Sequence, residues 1–280
     1  MTRDPQLGQL ADLWPVPGAT SHKYSRGVVG IDAGSARYPG AALLAVAGAL
    51  GAGPGMVRYL GSAPGELVVA RFPSVVLADG QVQAMVLGPG WGERSDAGRR
   101  LEEAIEREVP LVLDAEALRL LPRRLPHGSL ATPHAGELAA MLATERPVVE
   151  ADPAAAARRA AAQFGVTVLL KGAIQPVVTP EGVIRRAIPG PAWTAQAGSG
   201  DVLAGVCGTL LAAGLSAADA AWAAASLQAV VAARHPGPWT PDVQAARFPQ
   251  VVADLARDAS GSCCANGVPP DGTGPDRPTG

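Results

Sequence analysis

An α/β architecture is expected here, with a largely parallel central sheet and helices on both faces, on three observations. Short apolar runs rich in β-branched residues alternate with helical stretches along the chain, and strands joined through helices form parallel crossovers that bury both sheet faces. Many of the 34 glycines gather in discrete turns after those runs, as repeated strand-to-helix crossings demand. At 280 residues and 48% hydrophobic content, the chain is long and apolar enough for one sizeable core.

The strands follow from continuous apolar runs at 28–31 (VVGI), 75–76, 84–87 (AMVL), 111–113 (LVL) and 166–170 (VTVLL). Segments 177–179 and 183–186 flank Pro180-Glu181-Gly182 and predict a hairpin. Among the helices, 40–51 (GAALLAVAGALG) is built of small residues suited to close packing. Stretch 96–108 is charged and amphipathic, with Leu101 and Ile105 four apart. Helices are also predicted over 136–143 and 153–164. In 201–213, Val202, Val206 and Leu210 repeat every fourth residue. Helices over 217–234 and 248–256 close the ordered part. No linker or internal repeat divides it, so a single domain over residues 10–257 is expected. Segment 258–280 ends in SGSCCANGVPPDGTGPDRPTG, has no apolar periodicity, and is expected to be a disordered tail.

Composition excludes several classes. A net charge of -2 and a pI near 6.1 give no footprint for nucleic acid or an anionic membrane. No apolar run reaches membrane-spanning length. The N-terminus, MTRDPQLGQLADLWPVPG, has no apolar core of a secretory signal. The three cysteines, Cys207, Cys263 and Cys264, match no zinc spacing, and a reducing cytoplasm is the expected location.

In open α/β sheets ligands bind outside the carboxyl ends of the strands, so the turns there carry the candidate chemistry. Ala197-Gly-Ser-Gly-Asp201 exposes backbone N–H groups at a helix start, an anion site by construction. Asp201 is either an N-cap or a base acting on a hydroxyl that attacks a phosphate. Lys171, ending the run LLKG, is either an edge residue reaching for water or a contact for a nucleotide phosphate. Leu87-Gly-Pro-Gly-Trp-Gly92 has more glycine than a turn needs, which favours close approach of a ligand near Gly90. In Ala131-Thr-Pro-His-Ala-Gly-Glu137, His134 and Glu137 form a reciprocal cap, or His134 contacts a ligand. Asp114 follows a buried strand, as a residue near metal or phosphate or as a cap.

Taken in order, seven stretches resemble one family. They are His22-Lys-Tyr-Ser-Arg-Gly27, Gly34-Ser-Ala-Arg-Tyr-Pro-Gly-Ala-Ala42, Gly88-Pro-Gly90, Asp114-Ala115, Thr132-Pro-His-Ala-Gly-Glu137, Leu170-Lys-Gly-Ala173 and Gly198-Ser-Gly-Asp-Val-Leu-Ala-Gly205. The family is that of the ADP-dependent NAD(P)H-hydrate dehydratases, within the ribokinase-like superfamily. The resemblance spans about residues 22–255. It implies repair of NADH or NADPH hydrated at C6 of the nicotinamide ring, with ADP consumed as co-substrate and AMP and phosphate released. By residue, it implies Asp201 as base and Gly200 at the transferred phosphate. Lys171, Gly172, Ala173, Ile174 and Gln175 would lie along ADP, and Ala42, Gly90, His134 and Asp201 would contact the hydrated cofactor. It further implies Mg2+ escorting the ADP phosphates, a homotetramer with helix 40–51 near a subunit contact, and a dehydratase with no preceding epimerase domain. Three positions depart from the family pattern: Gln175 and Gln196 stand where threonines are usual, and Ala33 where glycine is common. Two other readings stay open: a ribokinase-like kinase of a vitamin-precursor alcohol such as a thiazole or pyrimidine, and a non-catalytic nucleotide-binding protein.

Overall fold

The structure, a computed structural model, describes residues 4–122 and 124–261. Eight strands form one sheet: β1 (Val28–Asp32), β2 (Met56–Tyr59), β3 (Ala84–Leu87), β4 (Leu111–Leu113), β5 (Leu130–Ala131), β6 (Thr167–Leu169), β7 (Pro176–Val178) and β8 (Ile184–Arg186). Their order is β2-β1-β3-β4-β5-β6-β7-β8. Pairings from β2 through β6 are parallel, and the β7–β8 hairpin is added antiparallel.

The helices are α1 (Pro5–Leu13), α2 (Pro39–Gly51), α3 (Gly65–Arg71), α4 (Ala97–Ile105), α5 (Ala135–Met141), α6 (Arg146–Ala151), α7 (Pro153–Phe164), α8 (Ser199–Ala212), α9 (Ala217–Arg234), α10 (Pro241–Ala245) and α11 (Phe248–Gly261). They cover the sheet on both sides, and the strand residues divide between two cores with the period of two that a pleated strand imposes. Val29, Ile31, Val86 and Val112 face α2, α8 and α9, while Val28, Met85, Leu87, Leu111 and Leu113 face α4, α5 and α7. Strands buried on both sides are mostly apolar, which is why β3, β4 and β1 as far as Ile31 are legible as unbroken runs.

Small residues in α2 serve packing inside the chain. A methyl group added at Gly48 would lie 2.1 Å from the Val202 carbonyl oxygen, and one at Gly205 2.0 Å from that of Ala45. α2 and α8 therefore cross backbone against backbone. Gly208 of α8 then lies against Val29 of β1 and Val86 of β3, while the first turn of α8 sits by Asp114 and Lys171, which follow β4 and β6.

Some elements differ from expectation. Residues 75–76 contribute only a single bridge, Val76 to Arg58, beyond the edge strand β2. β2 itself reads MVRY, alternating between half-buried and buried with Arg58 breaking its apolar run. β5 is two residues long and carries no periodicity. α1 packs its buried Leu10 and Ala11, with Trp14 just after it, into the core beside α11, which carries the packed body back to Leu7. α11 reaches Gly261, and residues 262–280 of the expected tail lie outside the described residues.

Candidate active site

The cleft lies outside the carboxyl ends of the parallel strands, where β1 has neighbours leading in opposite directions through the sheet. It is lined by Arg37–Ala41 after β1, Gly90 after β3, Glu116 after β4, and Ala197, Gly198 and Asp201 at the start of α8, with Leu44 from α2.

Gly198 is the N-cap of α8, with φ +91°, a left-handed conformation that glycine adopts without cost. No side chain among the described residues caps this helix; Ser199 N donates to the Gln196 carbonyl at 3.2 Å, and the amides of Gly200 and Asp201 are left for an incoming anion. Asp201 is the third residue of α8 and faces the cleft, which removes the N-cap reading. Burial pushes its carboxyl up to about 7, helped by the negative charges of Asp114, Glu116 and Glu137 and opposed by Lys171.

Lys171 leaves β6 with its backbone N–H donating to the Pro133 carbonyl at 2.8 Å. Its Nζ lies 2.5 Å from Asp114 Oδ1 and 3.7 Å from Glu137 Oε2. A methyl group at Gly200 would sit 3.3 Å from that Nζ, so the ammonium lies directly beneath the first turn of α8. Burial works against its charge, but Asp114, Glu137 and Asp201 together hold its pKa above the ordinary lysine value. The side chain is turned inward rather than reaching for water.

His134 and Glu137 form the reciprocal cap of α5. Glu137 N donates to His134 Nδ1 at 3.1 Å, and His134 N donates to Glu137 Oε2 at 2.7 Å. The ring is still 59% exposed and stands beside Lys171 through a backbone bridge, but it does not line the cleft that holds Asp201. Ala42 is fully buried, under Gly34, and its neighbour Ala41 meets the cleft instead. Gly172, Ala173 and Ile174 form an exposed turn between β6 and β7, with Gln175 half-buried at its end.

Several residues escaped the sequence reading. Asp32, fully buried at the end of β1, accepts hydrogen bonds from Trp91 Nε1 at 3.0 Å, Arg94 Nη1 at 3.2 Å and Arg100 Nε at 2.7 Å. Gly34 N donates to Pro89 O at 2.6 Å. These bonds hold the loop that carries Gly90 against the turn after β1. Tyr38 and Glu116 also line the cleft, and nothing local marks either, because both types are common on any surface. Gln196 turns out to be a clasp. Its Nε2 donates to the carbonyls of Trp193 at 2.6 Å and Trp239 at 2.8 Å, and Gln244 Nε2 donates to the same two at 3.2 and 3.0 Å.

Among the described residues, no group of three or more His, Cys, Asp or Glu side chains is arranged to hold a metal ion. None of their helices is long and apolar enough to cross a membrane.

A mostly parallel sheet with an uncapped, glycine-led helix and an acid at its third position defines an α/β protein with an anion site at the carboxyl ends of its strands. Solved structures agree on the fold. An ADP/ATP-dependent NAD(P)H-hydrate dehydratase from Bacillus subtilis, co-crystallised with ATP and Mg2+, superposes with TM-score 0.83 at 24% identity, covering 89% of this chain and 97% of the other. A hydroxyethylthiazole kinase from Pyrococcus horikoshii gives 0.59 at 17% identity over 90% and 92%. The family model described as NAD(P)H-hydrate dehydratase matches residues 29–246, and the chain belongs to that family. A bifunctional NAD(P)H-hydrate repair enzyme from Mycobacterium leprae is 42% identical over 87% of this chain and 54% of its own length. The ADP-dependent (S)-NAD(P)H-hydrate dehydratase of Neisseria meningitidis is 38% identical over 76% of this chain and 78% of its own. The chain thus spans about half the length of the bifunctional relative.

Proposed function

We propose that this protein is an ADP-dependent (S)-NAD(P)H-hydrate dehydratase, a hydro-lyase that restores NADH or NADPH from the C6-hydrated cofactor. The observation that carries the reading is the Asp201 carboxyl, raised to about 7 beside an uncapped helix start with the Lys171 ammonium beneath it. Hydroxide is a poor leaving group, whereas phosphate is a good one. Asp201 takes the proton of the C6 hydroxyl as that oxygen attacks the terminal phosphorus of ADP, and AMP leaves. The free amides around Gly200, at the positive end of α8, and Lys171 balance the charge of the group in transfer. The ring nitrogen then expels phosphate from C6.

In this reading ADP lies along residues 171–175, and the hydrated nicotinamide nucleotide lies between Gly90, the turn after β1 and His134. The described residues supply no metal cage, so Mg2+ would travel with the phosphates and water. A homotetramer and a cytoplasmic location belong to the same reading and rest on the family resemblance. The motif Thr132-Pro-His-Ala-Gly-Glu137 and the higher similarity to dehydratases than to the thiazole kinase favour this reading over a vitamin-alcohol kinase.

The test is to incubate the protein with hydrated NADH, ADP and Mg2+ and follow NADH absorbance together with AMP. Both products are expected. Neither product with ADP or with ATP would refute the assignment.

A further inference from the structure

The dehydration needs a second proton acceptor. Phosphoryl transfer disposes of the hydroxyl proton through Asp201. When phosphate leaves, the C6–O bond breaks and the nitrogen lone pair forms N1=C6, a cation with one proton more than the dihydronicotinamide. C5 must then lose a proton, so that its C–H electron pair closes C5=C6 and the lone pair returns to N1. Asp201 already carries the hydroxyl proton at that moment.

The polar side chains that line the cleft are those of Arg37, Tyr38, Glu116 and Asp201. The arginine side chain offers donors and no acceptor. Tyr38 is 43% exposed with the Arg37 guanidinium 5.4 Å over its ring, and it carries no carboxylate. Asp114 is held by Lys171, and Glu137 is engaged in the α5 cap. Glu116 differs from both: its Oε2 is buried and has no hydrogen-bond partner among the described residues. The chain reaches this arrangement through Ala115, which has φ +48°, in the left-handed region that residues other than glycine rarely adopt. The turn there separates neighbouring carboxylates, sending Asp114 to Lys171 and Glu116 to the cleft.

We propose that Glu116 is the second base, taking the proton from C5 of the phosphate-free cation while Asp201 serves the hydroxyl. A carboxylate left without a partner in a half-buried wall is poised to stabilise the cation before it accepts the proton. Glu116 becomes a carboxylic acid and returns the proton to water through the cleft mouth. The inference rests on the dehydratase reading, and its test separates the two.

The experiment measures AMP and NADH side by side for the wild type and for Glu116→Gln, with substrate carrying hydrogen or deuterium at C5. The wild type should yield AMP and NADH in equal amounts. In Glu116→Gln, AMP should still form while NADH formation falls about a hundredfold. AMP should then exceed NADH, because water recaptures the cation as hydrate, and deuterium at C5 should slow NADH formation. Glu116→Asp should bring the two products back towards equality. Equal AMP and NADH in Glu116→Gln, whether both persist or both fall, would overturn the role, since a structural loss moves them together. Glu116→Ala read in the same way answers the question should the glutamine variant not fold. A wild type that makes neither product would instead refute the dehydratase reading itself.

Discussion

Lys171 Nζ lies 2.5 Å from Asp114 Oδ1, and the two side chains are 17% and 2% exposed. The pair ties β6 to β4 beneath the first turn of α8, in the layer where phosphate chemistry is proposed. Removing one partner of such a pair leaves an uncompensated charge, at a cost of about 3–5 kcal/mol. Lys171→Ala should therefore lower the midpoint of thermal unfolding as well as weaken ADP binding. Lys171→Met combined with Asp114→Leu should recover much of the stability but none of the binding. Calorimetry with and without ADP checks both.

Asp201 is predicted to set the acid limb of the pH profile. With its carboxyl raised to about 7, the base form is lost as pH falls through that value, and turnover should drop with it. Asp201→Asn should abolish AMP and NADH formation alike, by about a hundredfold or more, while ADP still binds in equilibrium dialysis.

The stability sign runs the other way from the usual carboxylate. A raised folded pKa means the unfolded chain releases this proton first, so stability declines as pH rises from the ordinary aspartate range to about 7. Asp201→Asn removes that penalty and should unfold at a higher temperature than the wild type at pH 8, with little difference at pH 4. Unfolding curves at the two pH values decide it.

The two glutamine amides that share the Trp193 and Trp239 carbonyls should act as partial substitutes for each other. Gln196→Ala or Gln244→Ala alone should cost about 1 kcal/mol. The double variant should cost more than their sum, since only it strips both carbonyls of side-chain donors. Tryptophan fluorescence during urea unfolding reports this clasp.

Gly48→Ala and Gly205→Ala should each destabilise by about 1–3 kcal/mol or more, because the added methyl meets a carbonyl oxygen of the facing helix at 2.1 and 2.0 Å. Gly98→Ala, with nothing near the added methyl, should be neutral or slightly stabilising. Thermal denaturation of the three variants compares them directly.

What local sequence determined is the set of strands and turns whose own composition compels them. β3 and β4 are buried on both faces and apolar at every position, β1 is apolar up to its terminal Asp32, and the hairpin after β6 announces itself through Pro180-Glu181-Gly182. The glycine-led start of α8 and the acid within its first turn were legible because no ordinary cap combines them. Tertiary structure decided the rest. β5 is a strand only because β4 and β6 flank it, and β2 only because β1 offers an edge. Lys171 and Asp114 are 57 residues apart, and no local pattern says that one will neutralise the other. Glu116 looks like any surface glutamate until the backbone at Ala115 turns it towards Asp201. Charge and proton affinity depend on burial and on neighbours brought from elsewhere in the chain, which is why the motifs could be read in advance but the division of roles among the carboxylates could not.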